Sequence, residues 1–198
     1  IVDPPYGIDI NNQSQGKGGG VARKIDYTKK NWDKSAPEII YFNELRRVSK
    51  NQIVWGANHF ISRLPIDSSC WIVWDKDNSG NFADCELAWT SFETAVRIFR
   101  YRWNGMLQEN MKNKEFRIHP TQKPISLYEW LLTKYATKGD KILDTHVGSA
   151  SSLIACHNLG FDYVGFELDK EYYKLASKRL ETVKSQMSIF DCGVERRQ

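Results

Sequence analysis

Residues 141–150 read KILDTHVGSA, residues 151–160 read SSLIACHNLG, and residues 161–167 read FDYVGFE. A short apolar run, a turn of small residues, a helical segment closed by a glycine, and a second apolar run ending in an acid predict a βαβ unit. Such units build doubly wound sheets, which bind ligands at the carboxyl ends of their strands. The stretch therefore predicts an α/β, Rossmann-like fold with a ligand site at the turn of residues 145–149.

The composition of this turn suits a nucleoside without phosphates. Gly148 allows a ligand to approach the main chain, and Glu167, about 20 residues after the turn, stands where such folds place a carboxylate on ribose hydroxyls. The G-x-G-x-x-G pattern of dinucleotide sites is absent. S-adenosylmethionine matches these features, with an amino group for Asp144, a ribose for Glu167 and a methyl group on its sulfonium. The alternative is a plain α/β sheet with a surface glutamate.

Other apolar runs predict further elements of the same domain. Near-continuous apolar segments predict strands inside a sheet at residues 52–56, 70–74 and 85–90. Helices are expected after Pro37, from a first turn that contains Pro124, and over about residues 170–184. At 198 residues with 41% hydrophobic residues, the chain is long enough for one domain with one core.

Residues 1–7 read IVDPPYG, an apolar run that leads directly into a proline-rich turn. Asp3 can accept one N–H of an exocyclic amino group, and the main-chain carbonyl of Pro4 can accept the other, because proline fixes φ and offers no N–H of its own. After Pro5, Tyr6 provides an aromatic face on which a base taken out of a duplex can stack. The motif predicts methylation of a nucleobase amino group. The alternative is a structural turn with Tyr6 in the core.

Two segments carry the positive charge expected of a nucleic-acid surface. Residues 7–34 are polar and rich in glycine, and this composition predicts a mobile loop. The loop either closes over nucleic acid, with Lys24 as a DNA-binding residue, or is merely solvated. Residues 91–118 interleave aromatic side chains with basic ones, and we predict phosphate contacts from Arg97, Arg100 and Arg102. The alternative for this second segment is a partly buried helix whose arginines reach the solvent.

Charge and cysteine content narrow the function classes. The formal net charge of +4 is compatible with a polyanionic partner. The four cysteines are widely spaced without a C-x-x-C pair, which argues against a zinc site and a secreted disulfide framework, so we expect no metal. No apolar run is long enough to span a membrane and no signal-peptide pattern opens the chain, so we expect a cytoplasmic protein. The chain starts in a predicted strand without Met, which indicates an upstream piece.

Three motifs in this order resemble those of the DNA amino-methyltransferases, in particular the β-type arrangement in which the catalytic motif precedes the cofactor motif. The resemblance covers nearly the whole chain. The matching stretches are DPPY at residues 3–6, HPTQKP at residues 119–124 and ILDTHVGS at residues 142–149. The sequences WDK at 74–76 and ELAW at 86–89 are similar to the family's intervening strands. The form of the cofactor loop is similar to that of phage and prophage members.

The resemblance implies a seven-stranded type of methyltransferase sheet in circularly permuted order, here without one upstream strand. Asp3 and Asp144 would end adjacent central strands. The family usually has Asp-Pro-Phe and Gly-Ser-Gly in the cofactor loop, whereas this chain has Asp144-Thr145-His146 and Gly148-Ser149-Ala150. The residues that the resemblance assigns to S-adenosylmethionine are Thr121, Lys123, Asp144, Thr145, Gly148, Ser149 and Glu167.

The resemblance also divides the single domain that we expect over residues 1–198. Residues 1–90 would form the catalytic half and residues 119–185 the cofactor-binding half. Residues 91–118 would be a short target-recognition segment, which leaves the stringency of sequence recognition open.

The implied activity is S-adenosylmethionine-dependent methylation of adenine N6 in DNA, as in the modification enzymes of restriction–modification systems. An Asp rather than a Ser ahead of Pro-Pro-Tyr favours adenine in this family, with cytosine N4 as the close alternative. An alternative from a different function class is a non-catalytic remnant of the fold that only binds nucleic acid. The motif does not exclude an RNA or protein substrate. The expected partner is DNA, the expected cell is a bacterium or a phage-infected host, and a homodimer is left open.

Overall fold

The computed structural model describes residues 1–10, 30–64, 67–78, 83–104 and 107–191, with side chains up to residue 186. Lys24 and most of the glycine-rich segment lie outside the described residues. The chain divides into two compact units, Ile1–Glu115 and Phe116–Gln198. That both units act as one domain stays a prediction.

A four-stranded sheet forms the centre of the first unit. Its strands are β1 Ile53–Trp55, β2 Trp71–Asp75, β3 Cys85–Thr90 and β4 Arg97–Arg100. They lie in the order β1-β3-β2-β4, with β3 antiparallel to β1 and β2, and β4 parallel to β2. The strands predicted near residues 52–56, 70–74 and 85–90 are therefore present, and the third has the predicted bounds.

Helix α1, Ile39–Val48, packs on this sheet after the predicted start near Pro37. Phe42 and Leu45 are buried in one cluster with residues of β1 and β3. Burial of each of these side chains contributes about 2 kcal/mol. Ile40 lies about 200° around the helix from Phe42 and is exposed. Two short 3₁₀-helices, Ala57–His59 and Ile61–Arg63, follow β1.

Val2 joins the start of the chain to the sheet. Its N–H donates to the carbonyl of Ile53 at 2.9 Å, and the N–H of Trp55 donates to its carbonyl at 3.0 Å. Val2 therefore lies parallel to β1, opposite Val54. The two prolines after Asp3 have no N–H to continue the pairing. The predicted catalytic motif thus leaves the sheet next to the carboxyl end of β1.

The segment that follows β3 contains strands. The sequence analysis left a helix open as an alternative for this segment, residues 91–118. Residues of β4 pair with β2 in the register Ile72↔Arg97. Strands β5 Trp103–Asn104 and β6 Leu107–Gln108 form an antiparallel pair. The helix alternative is therefore wrong for residues 91–104 and 107–118, where no helix forms, and residues 97–100 instead pair their main-chain groups with β2.

The second unit contains the predicted βαβ arrangement. Its elements are α2 Ile125–Tyr135, β7 Lys141–Asp144, α3 Ser151–Leu159, β8 Asp162–Gly165 and α4 Lys170–Asp191. Strands β7 and β8 are parallel, with Asp144 opposite Gly165. Helix α3 ends at Gly160, whose φ of +73° is the left-handed cap that the sequence predicts. Pro124 lies one residue before α2, as its N-cap.

One apolar cluster of the second unit lies between α3 and α4. Its buried residues are Val147, Ala150, Leu153, Ile154, Ala176 and Leu180. Leu127, Leu131 and Leu132 of α2 are buried as well. Helix α4 extends to Asp191, beyond the predicted end near residue 184. In the part of the chain that the structure describes, no helix is both long and apolar enough to cross a membrane.

Candidate catalytic motif and cofactor loop

The hydroxyl of Tyr6 joins the two ends of the predicted catalytic motif by a hydrogen bond to Asp3. It donates to Asp3 Oδ1 at 2.8 Å, and it also lies 3.3 Å from Glu86 Oε2. Pro4 is fully buried, whereas Asp3 is only partly buried. The motif therefore combines a rigid, buried turn with a carboxylate that keeps some exposure to solvent.

The ring of Tyr6 is held by two neighbours. It stacks on His59 with ring centroids 4.9 Å apart and an interplanar angle of 16°. A Cβ atom at Gly56 would lie 2.0 Å from Tyr6 Cε1. Gly56 also has a φ of +69°, which favours glycine for a second reason. The position of Tyr6 is thus fixed, and its stacking on a substrate base stays a prediction.

Asp33 anchors the main chain of the motif, and the sequence analysis missed it. Its Oδ1 accepts from the N–H groups of Tyr6 at 2.7 Å and Gly7 at 3.0 Å, and its Oδ2 accepts from Ile10 at 3.0 Å. The residue is 2% exposed. A buried carboxylate with several N–H donors keeps its charge satisfied. Asp33 therefore determines the shape of the turn that follows Pro5.

Glu86 and Lys76 form a second polar group beside Tyr6, and the sequence analysis gave them no role. Glu86 Oε1 pairs with the Lys76 ammonium group. Their side chains are 21% and 17% exposed, so the pair is largely shielded from solvent. Glu86 lies on β3 opposite Trp74 of β2, and Lys76 directly follows β2. The pairing of β2 with β3 thus places Lys76 beside Glu86, and the pairing of β3 with β1 places Glu86 next to Tyr6.

In the second unit, Asp144 shapes the predicted cofactor loop. Its carboxylate is 2% exposed. Oδ1 accepts from the N–H of His146 at 2.9 Å, and Oδ2 accepts from the hydroxyl of Ser152. The neighbouring Thr145 hydroxyl lies 3.0 Å from His146 Nδ1. The carboxylate therefore joins the end of β7 to the first turn of α3.

Glu167 closes the loop from the other side. Its Oε2 accepts from the N–H of Gly148 at 2.8 Å, and its Oε1 accepts from the N–H of Asp169 at 2.9 Å. Gly148 has a φ of +53°, so the loop needs glycine for its backbone conformation. The structure thus brings together two residues that the sequence assigned to the cofactor from positions 19 residues apart.

The HPTQKP stretch reaches the same loop. A Cβ at Gly148 would lie 3.7 Å from the ring of His119, which is 8% exposed. The Thr121 hydroxyl lies 3.1 Å from His119 Nδ1. His119 also packs edge-on against Tyr172, with centroids 4.3 Å apart. Lys123, the other predicted cofactor residue of the stretch, is 4% exposed.

Arg179 on α4 also holds the cofactor loop, and no sequence motif indicated this residue. Its Nη1 donates to the carbonyl of Ser149 at 2.8 Å and to the Ser151 hydroxyl at 2.9 Å. The Ser149 hydroxyl lies 3.0 Å from that of Ser151. Ala150 has a φ of +64°, the conformation for which the family's glycine is suited.

The residues around the loop fit S-adenosylmethionine. Asp144 and Glu167 each have oxygens with a second lone pair, which can accept from an amino group or from ribose hydroxyls. Both carboxylates flank a turn with a glycine in the left-handed conformation, where the main chain is accessible to a ligand. Acidic groups at both ends favour a cationic amino-acid moiety and a ribose over a pyrophosphate.

The predicted DNA-binding arginines lie on and just after β4. Arg97 is exposed. Arg100 Nε lies 3.4 Å from Asp75 Oδ2, and Arg102 Nε donates to Asp77 Oδ2 at 2.8 Å. These ion pairs are solvent-exposed and are worth at most about 1 kcal/mol. A phosphate could therefore replace either carboxylate, and the DNA contacts stay predictions.

Comparison with known proteins gives a consistent result. The profile of the N6_N4_Mtase family, described as DNA methylase, matches residues 1–178. Type II methyltransferase M2.DpnII of Streptococcus pneumoniae is 30% identical over 222 residues, covering 91% of this chain and 81% of the relative. Type II methyltransferase M2.LlaDCHI of Lactococcus lactis subsp. cremoris is 28% identical over 221 residues, covering 91% and 80%.

Solved structures share the fold. The M1.HpyAVI–SAM complex has a TM-score of 0.55 at 21% identity, covering 90% of this chain and 86% of that one. The PvuII DNA methyltransferase, described as cytosine-N4-specific, has a TM-score of 0.54 at 12% identity, covering 93% and 82%. The predicted α/β methyltransferase fold is confirmed, whereas the permuted motif order stays a prediction. The predicted cofactor, S-adenosylmethionine, is confirmed by the family and by the M1.HpyAVI–SAM complex, whereas the residues that bind it stay predictions. The chain belongs to the N6_N4_Mtase family of DNA methylases.

Proposed function

We propose that this protein transfers a methyl group from S-adenosylmethionine to the N6 amino nitrogen of adenine in DNA. The observation that carries the proposal is the Asp3-Pro4-Pro5-Tyr6 turn at the end of a paired segment, held by the buried Asp33. An exocyclic amino group has two N–H donors and needs two acceptors in a fixed direction. Asp3 and the carbonyl of Pro4 would supply them.

The proposed chemistry depends mainly on orientation. A base flipped out of the duplex would stack on Tyr6, and Asp3 with the Pro4 carbonyl would draw the lone pair of the amino group onto nitrogen. Asp3 would take a proton from that nitrogen once the new N–C bond has formed. The cofactor, when bound, supplies an activated methyl group on a sulfonium. Asp144 and Glu167 would hold its amino-acid and ribose parts.

Adenine rather than cytosine is favoured by Asp3. In the family that the chain resembles, an Asp at this position is typical of adenine-N6 enzymes. Cytosine N4 is the second candidate, because the PvuII enzyme with the same fold is described as cytosine-N4-specific. The same pair of acceptors can hold either amino group. The preference for adenine over cytosine therefore depends on the presence of Asp, and not Ser, at position 3.

The biological setting that we propose is the modification step of a restriction–modification system. The two curated relatives are type II methyltransferases. DNA would be the partner. A phage or prophage origin, a homodimer and a cytoplasmic location stay predictions.

The proposal is tested by the transfer of labelled methyl from S-adenosylmethionine to DNA of mixed sequence. We expect label in DNA with the unmutated protein and with Asp67→Asn, an exposed control. With Asp3→Ala, the label should fall at least a hundredfold. A remnant that only binds nucleic acid would transfer no label while retaining DNA binding in a gel-shift assay.

A further inference from the structure

The hydroxyl of Tyr6 faces two carboxylates and has one proton to donate. Asp3 Oδ1 lies 2.8 Å from it and Glu86 Oε2 lies 3.3 Å from it. A tyrosine hydroxyl donates one hydrogen bond at a time. With the present distances, the stronger bond goes to Asp3, and Glu86 is the second acceptor within reach.

The bond to Asp3 competes with the proposed reaction. Asp3 is the residue that must accept an N–H of the substrate and later its proton. A hydroxyl that donates to Oδ1 withdraws electron density from the carboxylate and makes it a weaker acceptor and a weaker base. Asp3 is a better acceptor for the amino group when Tyr6 donates elsewhere.

Glu86 is placed to receive the Tyr6 hydrogen bond. Its Oε1 pairs with Lys76, which leaves Oε2 directed at the hydroxyl. The Lys76 ammonium group lies 5.1 Å from the centroid of the Trp74 ring, and the main-chain N–H of Lys76 donates to the carbonyl of Asp84 at 3.0 Å. The ammonium group compensates one of the two negative charges that face Tyr6. The pair thus holds a second carboxylate close to Asp3 without an excess of charge.

We propose that Glu86 is a positioning residue that accepts the Tyr6 hydrogen bond during methyl transfer and so makes Asp3 a stronger acceptor for the substrate amino group, with Lys76 holding Glu86 in place. The inference rests on the proposed function, because it assigns Asp3 the role of acceptor. The Tyr6 proton stays on its oxygen throughout, and only its acceptor changes. Glu86 acts through Tyr6 and does not touch the base.

The test is a double-mutant cycle with single-turnover methyl transfer to DNA as the readout. Glu86→Gln weakens the second acceptor, so the transfer rate should fall about tenfold while the KM for DNA changes less than twofold. Tyr6→Phe removes the competing hydroxyl and keeps the aromatic ring, and its own rate is the reference for the double mutant. The Glu86→Gln/Tyr6→Phe protein should then transfer at the rate of Tyr6→Phe. Glu38→Gln, an exposed change, is the control.

Lys76 provides an independent arm of the same test. Lys76→Met should slow transfer as Glu86→Gln does, and Tyr6→Phe should suppress this defect as well. Lys76→Arg should restore most of the rate. If Glu86→Gln slows the Tyr6→Phe protein by the same factor as the unmutated one, or slows neither, the inference is wrong. If the unmutated protein methylates no DNA, the proposed function fails and the inference with it, whereas an additive cycle on an active enzyme overturns only the role of Glu86.

Discussion

Asp33 Oδ1 accepts a hydrogen bond from the main-chain N–H of Tyr6 at 2.7 Å, across 27 positions of sequence. The same carboxylate also accepts from Gly7 and Ile10. The N–H groups of the turn after Pro5 are therefore satisfied by one buried side chain. This contact couples the geometry of the catalytic motif to the segment that precedes α1.

Loss of the Asp33 carboxylate should destabilise the first unit and inactivate the enzyme. Asp33→Ala leaves three main-chain N–H groups without their acceptor, at a cost of about 3 kcal/mol or more in the free energy of unfolding. Urea denaturation followed by tryptophan fluorescence measures this change. Asp67→Asn, an exposed control, should shift the free energy by less than about 0.5 kcal/mol. An Asp33→Ala protein as stable as the control would show that the turn does not depend on Asp33.

Gly56 should tolerate no side chain, because the Tyr6 ring occupies that space. Gly56→Ala adds a clash with Tyr6 Cε1 to the cost of a left-handed alanine, so we expect a loss of about 3 kcal/mol and a large fall in methyl transfer. Gly160→Ala is the matched control, since Gly160 has a φ of +73° and a Cβ atom there would meet nothing within 4 Å. It should cost only about 1 kcal/mol. Equal losses in both variants would contradict the contact with Tyr6.

Glu167 should contribute to cofactor affinity without affecting DNA binding. Glu167→Ala removes the acceptor of the Gly148 N–H and the predicted acceptor of the ribose, so the Kd for S-adenosylmethionine should rise about tenfold or more. Isothermal titration calorimetry measures this affinity, and a gel shift measures DNA binding. Glu181→Ala on α4, an exposed acid, should change neither. Unaltered cofactor affinity in Glu167→Ala would remove Glu167 from the site.

Cys156 should resist alkylation in the folded protein. Burial raises the pKa of its thiol to about 12. At pH 8 only about one thiol in ten thousand would be ionised. Cys85 is exposed and should react with iodoacetamide under the same conditions. Peptide mapping by mass spectrometry distinguishes the two residues, and rapid modification of Cys156 before unfolding in urea would show that α3 is not packed as described.

Local pattern was sufficient to predict the elements that carry the motifs. The βαβ arrangement, the strand of residues 85–90 and the cap at Gly160 depend on apolar spacing and on turn residues that lie close together in sequence. Gly148 and Glu167 could be assigned to one loop because a βαβ unit places the ends of its two strands side by side, whereas their hydrogen bond was not predicted.

The residues that the sequence did not reveal act over long separations. Asp33 lies in a polar stretch with no motif, and its partners are main-chain N–H groups, which carry no sequence signal. Glu86 reaches Tyr6 only because β3 pairs with β1, and β1 in turn pairs with Val2. Arg179 contacts carbonyl and hydroxyl groups of the loop from a helix that reads as an ordinary amphipathic segment. Such contacts require a tertiary structure to be identified.

The central claim is tested most directly by identifying the methylated nucleoside. DNA of mixed sequence is incubated with the protein and labelled S-adenosylmethionine, digested to nucleosides and analysed by mass spectrometry, with Asp3→Ala in parallel. We predict N6-methyladenine with the unmutated protein and at least a hundredfold less with Asp3→Ala. N4-methylcytosine as the product, or no methylated base in any DNA, would contradict adenine-N6 methylation.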